Sequence, residues 1–221
     1  MIGVTALSAL TARGQGFTNE WNSGFSNSGI VPDASTTGWW DTRTITGQSG
    51  YIITDVNLTL TLSGGYNGDL YAYLYHDNTL VVLLNRVGVT SGNAFGYSQS
   101  GMDVRFDDQA ATTTDIHSYQ TVNSWTITGV ASWRPDGRNI SPISSGLAFD
   151  NATRQNSGNP LSQLINAATD GDWTLFLSDL SVGGEATVVK WGIEAAASPI
   201  PEPTAAALVL FGGLLMLRRR R

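Results

Sequence analysis

Alternation between apolar and polar residues is the main pattern along this chain, and it predicts β-strands. Residues 51–62 place apolar side chains at every second position, at Val56, Leu58, Leu60 and Leu62. Because successive side chains of a strand point to opposite faces, this period predicts a half-buried strand. Residues 172–180 alternate in the same way around Trp173, Leu175 and Leu177.

Several shorter apolar runs are separated by residues typical of turns. They cover residues 70–76, 79–86, 102–108 and 185–195. Gly-rich and Asp-Asn turns connect the first two runs to the 51–62 strand, so we expect these three strands to form a hairpin or tight meander. Residues 160–168 suit a helical turn or two, and residues 109–159 predict long loops with one or two edge strands.

These elements predict an all-β fold, an antiparallel sandwich of many short strands. The length of 221 residues suits one domain with terminal extensions. The 25 glycines and the low content of charged residues favour turns and strands over long helices. We assign the sandwich domain to residues 17–197.

The charges are divided unevenly between the body of the chain and its C-terminal end. The whole chain carries a net charge of −6. Residues 201–221 hold four arginines and one glutamate, so the rest has eight basic and 17 acidic residues, a net charge of −9. Such a body repels phosphate groups, which argues against nucleic acid and anionic lipid as partners. The absence of cysteine excludes disulfides and thiolate metal sites.

Both ends of the chain differ from its polar body. Residues 1–16 are mildly apolar and end in small residues, which we interpret as a signal peptide without its basic front part. A plain first strand or a disordered leader is the alternative. Residues 205–217 are 13 apolar or Gly residues followed by four arginines. As a helix they span roughly 20 Å, less than the ~30 Å core of a bilayer. We therefore predict a transmembrane helix that anchors only transiently.

No combination of residues typical of an active site is present in the sequence. The two histidines, His76 and His117, are candidate general bases, but no serine stands in a Gly-x-Ser-x-Gly motif. Phosphate-binding and zinc-protease motifs are also absent from the sequence. We therefore expect a protein that is not an enzyme, with an unrecognised hydrolase site as the alternative.

Aspartates gather near the ends of the predicted strands, among them Asp103 and Asp170. Carboxylate oxygens are ligands that Ca²⁺ prefers. Our candidates for a structural calcium site are Asp69, Asp107, Asp108, Asp172 and Asp179. The alternative is that these carboxylates cap turns by accepting backbone N–H bonds. No other cofactor is expected.

Tryptophans offer a second kind of binding site. Trp39, Trp40 and Trp133 lie in stretches without strand periodicity. Exposed indole rings stack on sugar rings, so these three are candidate ligand contacts, with packing in the sandwich as the alternative. Trp173 and Trp191 lie in predicted strands and are expected in the core.

Five segments, taken in order, resemble one known family. They are residues 29–33, 56–74, 104–111, 160–179 and 188–193. They are similar to the P domain, or P/homo B domain, that follows the catalytic domain of kexin-like and furin-like subtilases. The matching residues are Gly68, Asp69 and Leu70, then Gly171, Trp173, Leu175 and Asp179, and Trp191. The resemblance implies a jelly-roll β-sandwich of about eight strands. The family's protease domain is not in this sequence, and the residues after Trp133 look like an insertion.

The C-terminal end resembles a second element, the PEP-CTERM sorting signal of Gram-negative bacteria, which we assign to residues 198–221. The matching residues are Pro201, Glu202 and Pro203, the apolar residues 205–217, and Arg218, Arg219, Arg220 and Arg221. The resemblance implies processing by exosortase, a membrane protease-transpeptidase. It also implies export, a transient stay in the inner membrane, and a final location at the cell surface or outside the cell.

We interpret the chain as a non-catalytic, exported binding, adhesion or matrix module. Its expected ligand is a polysaccharide or an envelope protein. One alternative is a separately encoded P domain that stabilises a subtilisin-like protease, and another is the unrecognised hydrolase.

Overall fold

Eight strands make up most of the regular structure in the computed structural model, which describes residues 14–122, 127 and 132–200. They are β1 (Gln15–Trp21), β2 (Trp39–Ile45), β3 (Tyr51–Gly64), β4 (Leu70–His76), β5 (Thr79–Asn85), β6 (Met102–Phe106), β7 (Gly171–Asp179) and β8 (Ala186–Pro199). Two short α-helices are α1 (Tyr119–Val122) and α2 (Gly146–Asp150). Short 3₁₀ segments are Ser26–Gly29, Asn67–Asp69, Ile116–Ser118, Gln155–Gly158 and Leu161–Leu164.

The strands form two antiparallel sheets of four strands each. Sheet A has the order β1-β8-β3-β6, and sheet B has the order β2-β7-β4-β5. Apart from the β4–β5 hairpin, every connection between consecutive strands crosses from one sheet to the other. This order is that of a jelly roll. The predicted all-β sandwich is therefore confirmed for the described residues.

The core lies between the two sheets and is built from alternate residues of each strand. Leu58 and Leu60 of β3 are fully buried, as the alternation predicts, and so is Trp191 of β8. From sheet B, Trp173 and Leu175 of β7 are equally buried. Burying one face of each sheet against the other removes these apolar side chains from water, which stabilises the fold.

The predicted meander is wrong in one respect. β4 and β5 form the expected hairpin, whose turn residues Asp77 and Asn78 have φ angles of 45° and 60°. β3, however, pairs with β6 and β8 and not with β4. Turn-forming residues show that the chain changes direction, but they do not show whether the next strand joins the same sheet or the opposite one.

Two strands were not predicted, β1 and β2. In β2 the inward positions between Trp39 and Ile45 carry Asp41 and Arg43, which breaks the apolar alternation. Trp191 Nε1 and Arg43 Nε both donate to Asp41 Oδ2 at 2.7 Å. The carboxylate of Asp41 can lie at this largely buried position because it is paired, and sequence alternation does not reveal such pairing.

Residues between β6 and β7 contain isolated bridges where one or two edge strands were expected, within the part described. The bridges are Phe106–Trp133, Asp115–Arg134 and Arg138–Arg154. The 3₁₀ turn Leu161–Leu164 agrees with the predicted helical turn.

The described region ends close to the predicted domain boundaries. β1 begins at Gln15 and β8 ends at Pro199, two residues beyond each expected limit of the sandwich. Within the described residues, no helix has the length and apolar character needed to cross a membrane. Most of the predicted signal peptide, and residues 201–221 with the predicted hydrophobic helix, lie outside the described residues.

Leu175→Ala should lower the free energy of unfolding by about 2–5 kcal/mol, because it leaves a cavity in the centre of the core. Urea unfolding of the full chain measures this difference. Leu147→Ala is the matched control, since Leu147 is 64 % exposed and the same atoms are removed at the surface. Equal effects of the two substitutions would contradict the packing described here.

Candidate functional site

His76 holds two segments together at the edge of an open cavity of about 280 Å³. Its ring is 2 % exposed and stacks on Trp173 with a centroid distance of 3.7 Å. Nδ1 lies 3.0 Å from the Asp172 carbonyl oxygen, and Nε2 lies 2.7 Å from that of Ala168. Both ring nitrogens are therefore occupied by main-chain acceptors, which leaves neither to act on a substrate.

His117 and Asp136 have the spacing of a base and an orienting carboxylate, but among the described residues no nucleophile completes them. Nδ1 of His117 lies 2.6 Å from Asp136 Oδ2, while Nε2 faces the Val89 carbonyl oxygen at 3.1 Å. In a catalytic triad the second nitrogen contacts a serine hydroxyl. Both side chains are buried, so this pair joins the β5–β6 connection to residues 134–138 as part of the structure.

Asp136 is a buried carboxylate that contacts a histidine and an arginine. Burial acts to raise its pKa, but His117 and Arg138, whose Nη1 donates at 2.9 Å, outweigh that effect and hold the pKa below its usual range. The charge is thus stabilised inside the protein. The sequence analysis did not identify this network, since its members are spread over residues 109–159, where no periodicity orders them.

The five aspartates named as calcium ligands lie in three separate places. Asp107 pairs with Arg105, and Asp108 Oδ2 accepts from Ser162 N at 2.7 Å. Asp172 Oδ1 accepts from Thr44 at 2.6 Å. Asp69 and Asp179 lie together at the other end of β7, about 24 Å from Asp172 at ~3.4 Å per residue. Within the described residues, no group of three or more His, Asp or Glu side chains is arranged to hold a metal ion.

The three candidate tryptophans also differ in position. Trp39 and Trp133 are buried in the core, and Trp39 Nε1 donates to the Ser26 carbonyl oxygen at 2.9 Å. Neither presents its ring to a ligand. Trp40 is the next residue along β2, so its side chain points to the opposite face, where 59 % of it is exposed.

Trp40 begins a row of aromatic rings across the outer face of sheet B. Trp40 lies opposite Phe176 of β7, and Phe176 lies opposite Tyr73 of β4. Side chains of directly opposed residues lie on the same face of a sheet. The rings of Tyr73 and Phe176 stack at 4.7 Å with an interplanar angle of 14°, and Tyr71 packs against both. We call Trp40, Phe176, Tyr73 and Tyr71 the aromatic row.

Polar side chains lie along the aromatic row on the same face. Thr42 and Thr174 share a hydrogen bond of 2.8 Å, and Thr44 donates to Asp172. Tyr75 is 40 % exposed, and its hydroxyl donates to Asn78 at 3.2 Å. The face therefore combines ring surfaces with hydroxyl and carboxylate groups at its border.

A second candidate surface lies at one end of the sandwich, where the connections between strands meet. An open cavity of about 530 Å³ is lined by Tyr66, Asp69, Phe95, Gly96, Tyr97, Ser98, Ser181 and Val182. We call it the acidic cavity. A Cβ atom on Gly68 would lie 2.5 Å from the Phe95 carbonyl oxygen, so glycine there allows the β5–β6 connection to lie against the residues before β4. Gly68 thereby places Asp69 in the cavity wall.

Three carboxylates form the acidic part of this end, Asp33, Asp69 and Asp179. Asp33 joins them because Gly183 N donates to its Oδ2 at 3.3 Å and Ser35 N donates to the Asp179 carbonyl oxygen. Burial raises the pKa of Asp179 to about 6, with the Ser181 amide opposing and the charges of Asp69 and Asp33 adding to the rise. Burial also raises the pKa of Asp69, although Ser181 and Arg86 lower it.

Comparison with solved structures gives four matching chains. No protein family and no curated protein matches the sequence. The solved complex of Aeromonas sobria serine protease (ASP) with the chaperone ORF2 aligns at a TM-score of 0.45 and 10 % identity. The alignment covers 85 % of this chain and 28 % of that one. At this level of similarity it carries no conclusion about fold or function.

Asp179→Asn should raise the free energy of unfolding at pH 7 by about 1–2 kcal/mol, because it removes a desolvated charge. The wild-type carboxyl has a pKa of about 6 when folded and ~3.9 when unfolded. Its contribution to stability is therefore fully present below pH ~4 and is lost as the pH rises through 6.

Urea unfolding between pH 4 and pH 8 measures this dependence. Asp172→Asn makes the same change at the other end of β7 and is the control. This variant should keep the wild-type pH dependence of the free energy of unfolding. If Asp179→Asn is less stable than the wild type at pH 7, and its free energy of unfolding depends on pH as in the wild type, the prediction is wrong.

Proposed function

We propose that this chain is an exported, non-catalytic β-sandwich that binds a neutral polysaccharide through the outer face of sheet B. The aromatic row carries the proposal. Ring faces of Trp, Tyr and Phe stack on the apolar faces of sugar rings, while polar groups at the border accept and donate the hydrogen bonds of sugar hydroxyls. Trp40, with most of its side chain exposed, is the principal contact.

The strand register makes this row a rigid platform. Trp40, Phe176 and Tyr73 stand on three adjacent strands, so their spacing follows the ~4.8 Å separation of strands in a sheet. A rigid platform loses little conformational entropy when a ligand binds. The net charge of −9 outside residues 201–221 favours a neutral glycan over an anionic one.

The non-catalytic part of the proposal is supported by the two histidines. Each is buried, and each has both ring nitrogens directed at acceptors of the chain itself. A general base needs a free nitrogen within reach of a substrate proton. A hydrolase with His76 or His117 as its base is therefore disfavoured.

Export and sorting by exosortase form the remaining part of the proposal and are supported by the sequence alone. Pro201, Glu202 and Pro203, the apolar residues 205–217 and the terminal arginines resemble a PEP-CTERM signal. The prolines keep the segment before the apolar run extended, a conformation accessible to a membrane protease.

A second candidate function is a P domain that stabilises a separately encoded subtilisin-like protease. One observation favours it: the residues behind the resemblance lie in strands, or directly before one, as the resemblance implies. Gly68, Asp69 and Leu70 lead into β4, the match from Gly171 to Asp179 coincides with β7, and Trp191 lies in β8. Addition of the full chain to a subtilisin-like protease encoded beside it tests this function by the change in the protease's thermal inactivation rate.

Trp40→Ala should weaken binding to a neutral polysaccharide about tenfold, which corresponds to ~1.4 kcal/mol. Depletion of the full chain from solution by insoluble cellulose, xylan and β-1,3-glucan measures binding, with alginate as the anionic comparison. Phe95→Ala is the matched control, since it removes an exposed aromatic ring from the other candidate surface. Binding to none of the three glycans, or equal binding by Trp40→Ala, would reject the aromatic row as the site.

The sorting proposal predicts that the mature protein ends before Ala205 in its native host. Intact-mass measurement of the protein from the cell surface and the medium determines this end. Deletion of the exosortase gene should leave the full C-terminus in place and keep the protein in the inner membrane. A mature protein that retains Arg221 while exosortase is present would refute the sorting proposal.

A further inference from the structure

We propose that the acidic cavity binds a lysine or arginine side chain of a partner polypeptide. This site lies at the end of the sandwich, with Asp69 two residues before Tyr71 of the aromatic row, and the proposal does not depend on polysaccharide binding.

The rim of the cavity is unusually apolar for a surface at the end of a strand. Phe95 is 82 % exposed, Val182 79 % and Tyr66 41 %. These three side chains come from three different connections that meet at this point. Long basic side chains pack their aliphatic stems on such surfaces, and their cations are attracted to aromatic faces.

The charges below this rim are negative and not balanced. Asp69 lines the cavity, and Asp179 and Asp33 add their charges to its surroundings. Among the described residues, the nearest cation is Arg86, whose Nη2 lies 4.0 Å from Asp69 Oδ1. Arg86 also donates to the carbonyl oxygens of Gly68 and Ala94, so its guanidinium is shared. One shared cation against three carboxylates leaves this end negative.

In two of these carboxylates, one of the two oxygens also lacks a hydrogen-bond partner among the described residues. Asp179 is 1 % exposed, and its Oδ2 has no donor among the described residues. The same holds for the buried Oδ1 of Asp33. A buried carboxylate oxygen without a partner is costly, and an approaching cation lowers this cost for the whole cluster.

A basic side chain fits these features better than a bare metal ion does. The described residues include no group of three or more acidic or histidine side chains arranged around one metal position. A metal ion also gains nothing from the exposed apolar rim. A cation at the end of an apolar stem uses both the carboxylates and the rim, and an open cavity of about 530 Å³ admits a short peptide segment around it.

The test uses four fluorescein-labelled peptides, Gly-Ala-Ala-X-Ala-Ala-Gly, in which X is arginine, lysine, norleucine or glutamate. Fluorescence anisotropy with the full chain measures their affinity at about 50 mM and about 300 mM salt. The arginine and lysine peptides should bind at least tenfold more tightly than the norleucine peptide. Their affinity should fall at the higher salt concentration, because the attraction is electrostatic.

Substitutions then assign the interaction to the cavity. Asp69→Asn should weaken binding of the arginine peptide at least tenfold, and Asp33→Asn should weaken it as well, which gives a second reading if one variant does not fold. Asp103→Asn removes the same charge from the exposed side of β6 and should have no effect. Trp40→Ala should also bind the arginine peptide normally, which separates this site from the aromatic row.

Three outcomes would overturn the proposal. The first is equal affinity for the norleucine and arginine peptides, which would make the cavity a purely apolar site. The second is unchanged arginine-peptide binding by both Asp69→Asn and Asp33→Asn. The third is a rise in Tm with millimolar Ca²⁺ that Asp69→Asn abolishes, without any preference for basic peptides, which would assign the carboxylates to a metal ion.

Discussion

The pairing of β3 with β8 is the contact on which the rest of this structure depends. Both strands are 14 residues long, and they lie side by side in the centre of sheet A from Tyr51–Pro199 to Gly64–Ala186. β1 extends the sheet from β8, and β6 extends it from β3. Because the paired residues are more than 120 positions apart in the chain, forming this ladder costs loop-closure entropy, which the contacts of the complete sandwich offset.

The alternation of single strands was readable from the sequence, while their partners were not. The buried faces of β3, β7 and β8 follow from period two, and Leu58, Leu175 and Trp191 lie where that period places them. The transfer of the chain from β3 in one sheet to β4 in the other depends on Gly64 and Gly65, whose φ angles are 70° and 66°. Glycine permits this conformation without indicating the destination of the chain.

Candidate site residues were harder to predict because the same residue type occurs both in the core and on an exposed candidate surface. Asp41 breaks the alternation of β2 and is held by Trp191, a partner 150 positions away. Trp39 and Trp40 are adjacent, yet one is buried and the other exposed. Had β2 been recognised as a strand, its period of two would have assigned opposite faces to these tryptophans.

Asp136 and Asp179 are both buried carboxylates, but the first belongs to the scaffold and the second to a candidate site. Around Asp136 the chain supplies His117 and Arg138, and the pKa is lowered. Around Asp179 it supplies two further carboxylates, and burial raises the pKa. Stability alone does not explain the second arrangement, since an asparagine there avoids the repulsion. An uncompensated charge of this kind is therefore an indication of a binding site, to be read together with its geometry.

The direction of β8 determines which end of the sandwich faces outward when the protein is attached through its C-terminal end. β8 starts beside the acidic cavity at Ala186 and ends at Pro199, roughly 40 Å away at ~3.4 Å per residue. The described part of the chain therefore ends, at Ile200, at the pole opposite the cavity. A protein tethered through its C-terminal end presents the cavity outward, at its distal tip. The strands of sheet B lie between the two poles, so the aromatic row faces sideways, toward neighbours at the same height above the attachment surface.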